Sequence, residues 1–366
     1  MRVAIELTAL QLDRGGTARA IEQLLPRLEA EPGVELVRLE HEGRVPTSSL
    51  GVIARGLARE LWYLPRVLPQ RVAASGAEIL HCPSQLVPPS CVVPMVVTLH
   101  DAIGWEHPEW LTRANVAQLH KRLPRAIASG AHVITSSEYS RGRLIAALDL
   151  DPARITTVPL GLDSRFTPEA AAADADAIAA LGVGEPYVLT VGTLQPRKNL
   201  AAAIEAFELL GSARAEHLVI VGARGWHDDE LIQRIERSTA SGRIHLLGRV
   251  TDDELIALYR GAECLVFPSR YEGFGFPPLE AMACGTPVIS TDNTSLAEAI
   301  GDAAEVIDPD DPEQIAETLA RVLGSPELRG EMIERGLAHA ATFTWQACAD
   351  ATVAVYRALL AKTSTQ

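Results

Sequence analysis

Short apolar runs of strand type alternate with amphipathic helical stretches along almost the whole chain. Consecutive parallel strands need a crossover on one face of their sheet, usually a helix, so this alternation restricts the chain to α/β architectures with covered parallel sheets. At 366 residues the sequence exceeds one ordinary domain, and two such units are expected. Strand Arg2–Leu7 precedes a helix from about Thr17, whose Ile21, Leu24, Leu25 and Leu28 share one face. Further strand patterns at Glu78–His81, Met95–Leu99 and His132–Thr135 predict a first doubly wound domain over residues 1–165. The alternation breaks in Phe166–Pro186, an alanine-rich connection with a short helix.

It restarts at Tyr187–Val191, predicting a second doubly wound domain over residues 166–344. A helix follows over Leu200–Leu210 with Asn199 as its expected N-cap, then strands at Leu218–Val221, Ile244–Leu247, Cys264–Phe267 and Val288–Ser290. Thr251-Asp-Asp-Glu254 is a capping box at the start of a helix. Residues 345–361 form a terminal helical pattern, and periodicity alone does not say which domain receives it.

Composition excludes several function classes. A formal net charge of -14 argues against nucleic-acid binding, which needs many cations facing phosphates. Five cysteines in no CxxC pair read as reduced, buried thiols, with no disulfide frame and no zinc site. No apolar run approaches the ~20 residues of a membrane span, and the short first strand containing Glu6 is no signal-peptide core, so a cytoplasmic protein is expected.

The most informative segment is Pro268-Ser-Arg-Tyr-Glu-Gly-Phe-Gly-Phe-Pro-Pro-Leu-Glu-Ala-Met-Ala-Cys-Gly285. It reads as a glycine loop running into a helix, with Pro277 and Pro278 in the first turn and Gly285 just past the end. Backbone N–H groups at such a helix start favour an anion at the carboxyl end of a parallel sheet, and Gly273 and Gly275 allow close approach. A diphosphate suits it, with Glu272 and Glu280 placed to accept hydrogen bonds from hydroxyls of one polyhydroxylated ligand. As a loop residue, Glu272 is expected to be dispensable for folding. A second cluster, Gly192-Thr-Leu-Gln-Pro-Arg-Lys-Asn199, sets two adjacent cations directly after a strand, where they can neutralise a departing diphosphate. The first domain offers Gly15-Gly16 ahead of its first helix and His100-Asp101 after a strand.

The run Glu272-Gly-Phe-Gly-Phe-Pro-Pro-Leu-Glu280 resembles the E-x7-E signature of family-4 glycosyltransferases, and its full text is similar to the bacterial polysaccharide and O-antigen mannosyltransferase branch. The position of Arg197-Lys198 after its strand matches that family's G-x-(3 to 5)-R-K element. The resemblance covers nearly the whole chain and implies the GT-B fold, two Rossmann-like doubly wound domains facing each other across a cleft, with helix 345–361 packed back on the first. It gives Glu272 the donor sugar, Gly273, Phe274, Gly275 and Phe276 the sugar and phosphate, Glu280 the ribose, and Arg197 and Lys198 the pyrophosphate. Gly15 and Gly16 would approach phosphate or acceptor, Val250 lies in the stretch that meets the base, and His100 faces the donor sugar, with Asp101 orienting or on the acceptor side. Val158-Pro-Leu-Gly-Leu-Asp163 is similar to the family's connection between domains, with Leu160 where asparagine is often found.

The implied activity is retaining transfer of a hexose, mannose favoured, from a GDP- or UDP-linked donor to a glycan, lipid-linked or small-molecule acceptor, with no cofactor and no metal. A noncatalytic sugar-nucleotide binding protein is the alternative. An NAD-dependent oxidoreductase fits less well, because Gly15-Gly16 stands where a G-x-G-x-x-G would be required. Over residues 50–75, Arg55, Arg59, Arg66 and Arg71 face only Glu60, while Leu57, Leu61, Trp62, Leu64, Val67 and Leu68 supply apolar surface. This segment reads either as helices packed on the first domain or as a peripheral contact at the inner face of a membrane, and Pro65 and Pro69 favour packing.

Overall fold

The computed structural model describes residues 1–12, 15–41, 49–211, 214–225 and 229–363. The chain divides into two compact units, Met1–Gly161 with Thr344–Gln366, and Leu162–Phe343. Each is built on one six-stranded sheet in which every pairing is parallel.

The first sheet contains β1 (Arg2–Glu6), β2 (Glu35–Leu39), β3 (Ile79–Cys82), β4 (Met95–Thr98), β5 (His132–Thr135) and β6 (Ile155–Thr157), in the order β2-β1-β3-β4-β5-β6. Its central strands are buried on both faces, which is why Val3-Ala-Ile5 and Met95-Val-Val97 read as continuous apolar runs. The terminal helix Trp345–Thr363 belongs to this unit. His81 of β3 fixes it there, bridging the Tyr356 hydroxyl through Nδ1 at 2.5 Å and Thr98 through Nε2 at 2.9 Å, all buried. Gly161 permits the chain crossing beside that helix: a Cβ on it would lie 2.1 Å from the backbone nitrogen of Trp345.

Residues 49–75 form one helical run, α-helical over Ser49–Ala58, π-helical over Arg59–Val67 around Pro65, and α-helical again over Leu68–Ser75. Leu64 and Leu68 are buried, so the apolar surface expected here is reduced to Leu57, Leu61 and Trp62, which remain more than half exposed. The arginines face more than Glu60. Arg55 donates to Gln11 and the His41 carbonyl, Arg66 to the Leu61 carbonyl and Arg71 to the Glu40 carbonyl. Among the described residues no helix is long and apolar enough to cross a membrane.

The second sheet contains β7 (Tyr187–Val191), β8 (His217–Val221), β9 (Ile244–Gly248), β10 (Cys264–Phe267), β11 (Val288–Ser290) and β12 (Glu305–Val306), in the order β12-β11-β10-β7-β8-β9. Two apolar clusters cover its faces, one around Tyr187, Leu189, Leu265 and Phe267, the other around Val188, Ile220, Val266 and Ile289. Alternate residues of one strand thus enter opposite clusters, as the two-residue period of a strand requires. The capping box at Thr251–Glu254 is formed as expected. Asn199 occupies the N-cap position as expected but makes no side-chain capping bond: it lies in the left-handed region at φ 53 and its side-chain amide donates to the Pro309 carbonyl at 2.6 Å.

At the end of β1 the carboxylate of Glu6 is buried and accepts from the Thr8 amide at 3.1 Å, and its Oε2 has no partner. Burial pushes its pKa up from 4.5 to about 7, outweighing the hydrogen bonds that pull it down. A raised carboxyl contributes most below its unfolded pKa and loses that contribution as pH rises through the folded one. Stability should therefore fall by roughly 3 kcal/mol between pH 4.5 and pH 7 on account of Glu6. Chemical denaturation of Glu6→Gln across this range should lack that component, and an unchanged pH slope would refute it.

Candidate active site

In a doubly wound sheet, ligands bind outside the carboxyl ends of the strands where the strand order reverses, because crossovers there leave toward opposite faces and open a crevice. In the second sheet the reversal lies between β7 and β10. The two clusters picked out in the sequence are the loops that follow these two strands. After β7 the chain turns through Gly192 into a 3-10 turn at Pro196–Lys198, and after β10 it runs through residues 268–275 into the helix Phe276–Ala283. The Arg270 amide donates to the Arg197 carbonyl at 2.8 Å and joins the two loops.

Glu272 stands at the centre. Its Oε1 accepts from Lys198 Nζ at 2.5 Å and Ser269 Oγ at 2.7 Å, and its Oε2 accepts from Arg197 Nη1 at 3.0 Å. The same Arg197 nitrogen donates to the Tyr271 carbonyl at 2.8 Å. The Glu272 amide donates to Thr294 Oγ1 at 3.2 Å, and Ser295 Oγ donates to the Glu272 carbonyl at 2.7 Å. Thr294 achieves this at φ 56, a left-handed conformation that is costly for a β-branched residue. Glu272 and Lys198 are both buried. Burial alone would raise the Glu272 carboxyl, but Lys198 and then Arg197 overcome it and hold the pKa at about 2. Burial also pulls Lys198 down, against the attraction of Glu272. A Cβ at Gly192 would press on the Lys198 side chain at 3.2 Å, so the glycine leaves that stem its path.

The helix after this loop begins as the sequence predicts, with prolines in its first turn, Gly275 at φ 114 before it and Gly285 at φ 76 after it. Gly273, Phe274, Gly275 and Phe276 lie between Glu272 and the first turn, and the Phe274 and Phe276 rings meet edge to face at 5.1 Å. Glu280 is buried on this helix and accepts from the Tyr259 hydroxyl at 2.9 Å. Val250 packs, half-buried, against the core. Among the described residues no three His, Cys, Asp or Glu side chains are grouped to hold a metal ion.

In the first unit, Gly15 precedes the helix Gly16–Ala30, which starts one residue earlier than expected. His100 lines a cavity of ≈ 550 Å³. Both its ring nitrogens are buried without a partner, and burial lowers its pKa to about 4, so the ring is neutral near pH 7. Its backbone is held by Ser136 and Ser140, whose hydroxyls donate to its carbonyl at 3.1 and 3.0 Å. Asp101 accepts from the Ile103 amide at 3.1 Å and so supports the following turn. Tyr259 and Thr294 stand in no motif that marks them, and each reaches its glutamate through the fold, whereas Ser269 lies three residues before Glu272 in the same segment.

Residues 14–166 match the family model Glycosyltransferase Family 4, and residues 174–339 match Glycosyl transferases group 1. O-antigen chain mannosyltransferase B of Escherichia coli is 37% identical over 267 residues, which cover 72% of this chain and 70% of that protein. The chain belongs to the group 1 and family 4 glycosyltransferases. Other relatives of this family match over 20% to 66% of their own length. Among solved structures, sucrose-phosphate synthase from Thermosynechococcus elongatus superposes with a TM-score of 0.77 at 19% identity, covering 99% of this chain and 100% of that one. HepE from Anabaena, solved in complex with UDP-glucose, superposes with a TM-score of 0.74 at 16% identity, covering 98% and 100%. The fold is that of GT-B glycosyltransferases, with one Rossmann-like sheet in each unit.

The geometry overturns the expectation that Glu272 is dispensable for folding. Removing one member of a buried ion cluster leaves uncompensated charge, at a cost of about 3–5 kcal/mol. Glu272→Ala should lose that much stability in urea denaturation at pH 7. Its contribution in the native chain is complete above the ordinary 4.5 and lost as pH falls toward 2. A variant as stable as the native chain at pH 7 would show that the cluster carries no such strain.

Proposed function

We propose that this glycosyltransferase moves a hexose, with mannose preferred, from a GDP- or UDP-linked donor to an acceptor hydroxyl with retention of configuration and without a metal. The observation that carries the reading is the placement of Arg197, Lys198 and Glu272 at the strand-order reversal, beside the start of helix Phe276–Ala283. The donor diphosphate lies against Arg197, Lys198 and the amides following Glu272. Phosphate then takes up the two cations, and Glu272 turns to hydroxyls of the donor sugar. Glu280 holds the ribose, Val250 lies near the base, and Gly15 and Gly16 supply backbone amides to phosphate or acceptor. His100, as a neutral ring, hydrogen-bonds to the sugar.

In the transfer itself the bond from the anomeric carbon to the β-phosphate oxygen breaks. The acceptor oxygen bonds to the same face of that carbon, and its proton passes to the departing phosphate. Charge on the phosphate grows along this path, so Arg197 and Lys198 stabilise the transition state more than the ground state. The mannosyltransferase relative and the UDP-glucose complex of HepE support this donor chemistry. A glycan or lipid-linked acceptor, in the cytoplasm or at the inner face of a membrane, completes the proposal. Noncatalytic binding of the sugar nucleotide is the competing reading, and turnover separates the two.

Transfer assays with GDP- and UDP-linked mannose and glucose test the donor. Lys198→Ala should weaken nucleoside diphosphate binding about tenfold or more and lower turnover further, while Glu272→Gln should lose most transfer. Unchanged diphosphate affinity in Lys198→Ala would sink the assigned role. Activity should persist in excess chelator; loss restored by manganese would reject the metal-independent step.

A further inference from the structure

The first unit carries a second strand-order reversal, between β1 and β3, and the 550 Å³ cavity lies at the carboxyl ends of β1, β3 and β4. Arg55, Arg59 and Arg122 line it, and no carboxylate does among the described residues. Behind the wall, Glu60 is shared by two of them: it accepts from Arg59 at 3.2 Å and from Arg122. One carboxylate between two guanidiniums leaves that group with a surplus positive charge, in a chain whose net charge is -14. Arg122 is only 9% exposed, and a cation withdrawn from water that far is costly unless an anion or hydrogen bonds compensate it. Beside Glu60, it donates to the Gln85 carbonyl at 2.8 Å. Independently, His100 lines the same cavity, and neither of its buried ring nitrogens has a hydrogen-bond partner, a lack that a ligand hydroxyl would supply.

We propose that this cavity seats an acceptor bearing a phosphate-type anion, held by Arg55, Arg59 and Arg122, while the His100 ring nitrogen that the donor sugar does not use hydrogen-bonds to one of the acceptor's hydroxyls. A phosphate is favoured over a carboxylate because its several oxygens can engage more than one guanidinium fork at once. The anion belongs to a soluble phosphorylated sugar or to the phosphate of a lipid-linked glycan. The cavity wall includes Leu12, 49% exposed, and Leu57, directly after the lining Gly56, is 53% exposed, so both sources meet suitable surface. This inference rests on the glycosyltransferase reading for the word acceptor, although the anion site itself does not.

The test is calorimetric titration of the full chain with hexyl phosphate, inorganic phosphate, glucuronate and uncharged hexyl glucoside. A saturating nucleoside diphosphate is present so that Arg197 and Lys198 are occupied. Hexyl phosphate should bind, and Arg55→Gln and Arg122→Gln should each weaken it about tenfold or more while leaving nucleoside diphosphate binding unchanged. Arg55→Gln covers the case in which Arg122→Gln fails to fold. Inorganic phosphate binding as tightly as hexyl phosphate assigns the site to a soluble sugar phosphate. A gain from the hexyl chain that Leu12→Ser with Leu57→Ser abolishes assigns it to a lipid phosphate. Hexyl phosphate binding no better than hexyl glucoside, or equally well to folded arginine variants, would overturn the proposal, as would glucuronate binding tighter than either phosphate. Absence of nucleoside diphosphate binding with intact hexyl phosphate binding would reject the donor reading and spare this one.

Discussion

The reversal of strand order is the constraint on which the chemistry of this chain depends. Between β7 and β10 the two following connections leave toward opposite faces of the sheet, so no crossover covers the gap. Two strand ends then present loop residues to one small space, and backbone N–H groups at a helix start face the same space. Arg197 and Lys198 come from one side, Glu272 from the other, and the Arg270 amide to Arg197 carbonyl bond sets their separation.

That space is filled by an ion cluster instead of apolar packing, which has an energetic consequence. Taking a carboxylate and an ammonium out of water costs several kcal/mol for each ion, and only close pairing with additional hydrogen bonds offsets it. Ser269 and the Tyr271 carbonyl supply such bonds. The cluster is thus held in place by the fold's own hydrogen bonds. Preorganised charge of this kind is the form in which electrostatic stabilisation is most effective. The same arrangement couples folding to function at Glu272, so a loss of activity at this position is interpretable only beside a measurement of stability.

The first unit answers the same topological constraint differently. Its reversal holds a water-accessible cavity lined by guanidiniums and an imidazole, and the carboxylate of Glu60 sits behind two of the arginines. The π-helical stretch Arg59–Val67 contributes to this: the helix continues through Pro65, with Arg59 on the cavity and Tyr63 and Leu64 in the core. A cavity lined by cations and, among the described residues, by no acid is complementary to anions; in the second unit too one carboxylate, Glu272, is shared by two cations, Arg197 and Lys198.

The sequence by itself determined the α/β class and the central strands, because strands buried on both faces must be apolar at every position. It did not reveal β2, β6 and β12, and all three lie at sheet edges. An edge strand such as Glu35-Leu-Val-Arg-Leu39 is partly open to water, so its composition need not differ from that of a loop. Glu272 and Glu280 were legible because the loop and helix that carry them are contiguous in sequence. Only the tertiary structure decided that Glu272 pairs with residues 74 and 75 positions away, that the Asn199 side chain reaches the Pro309 carbonyl, and that Arg122 joins Glu60 across the first unit. Those contacts depend on which strands become neighbours, and strand order is set by the packing of whole sheets and helices, which no local pattern of residues encodes.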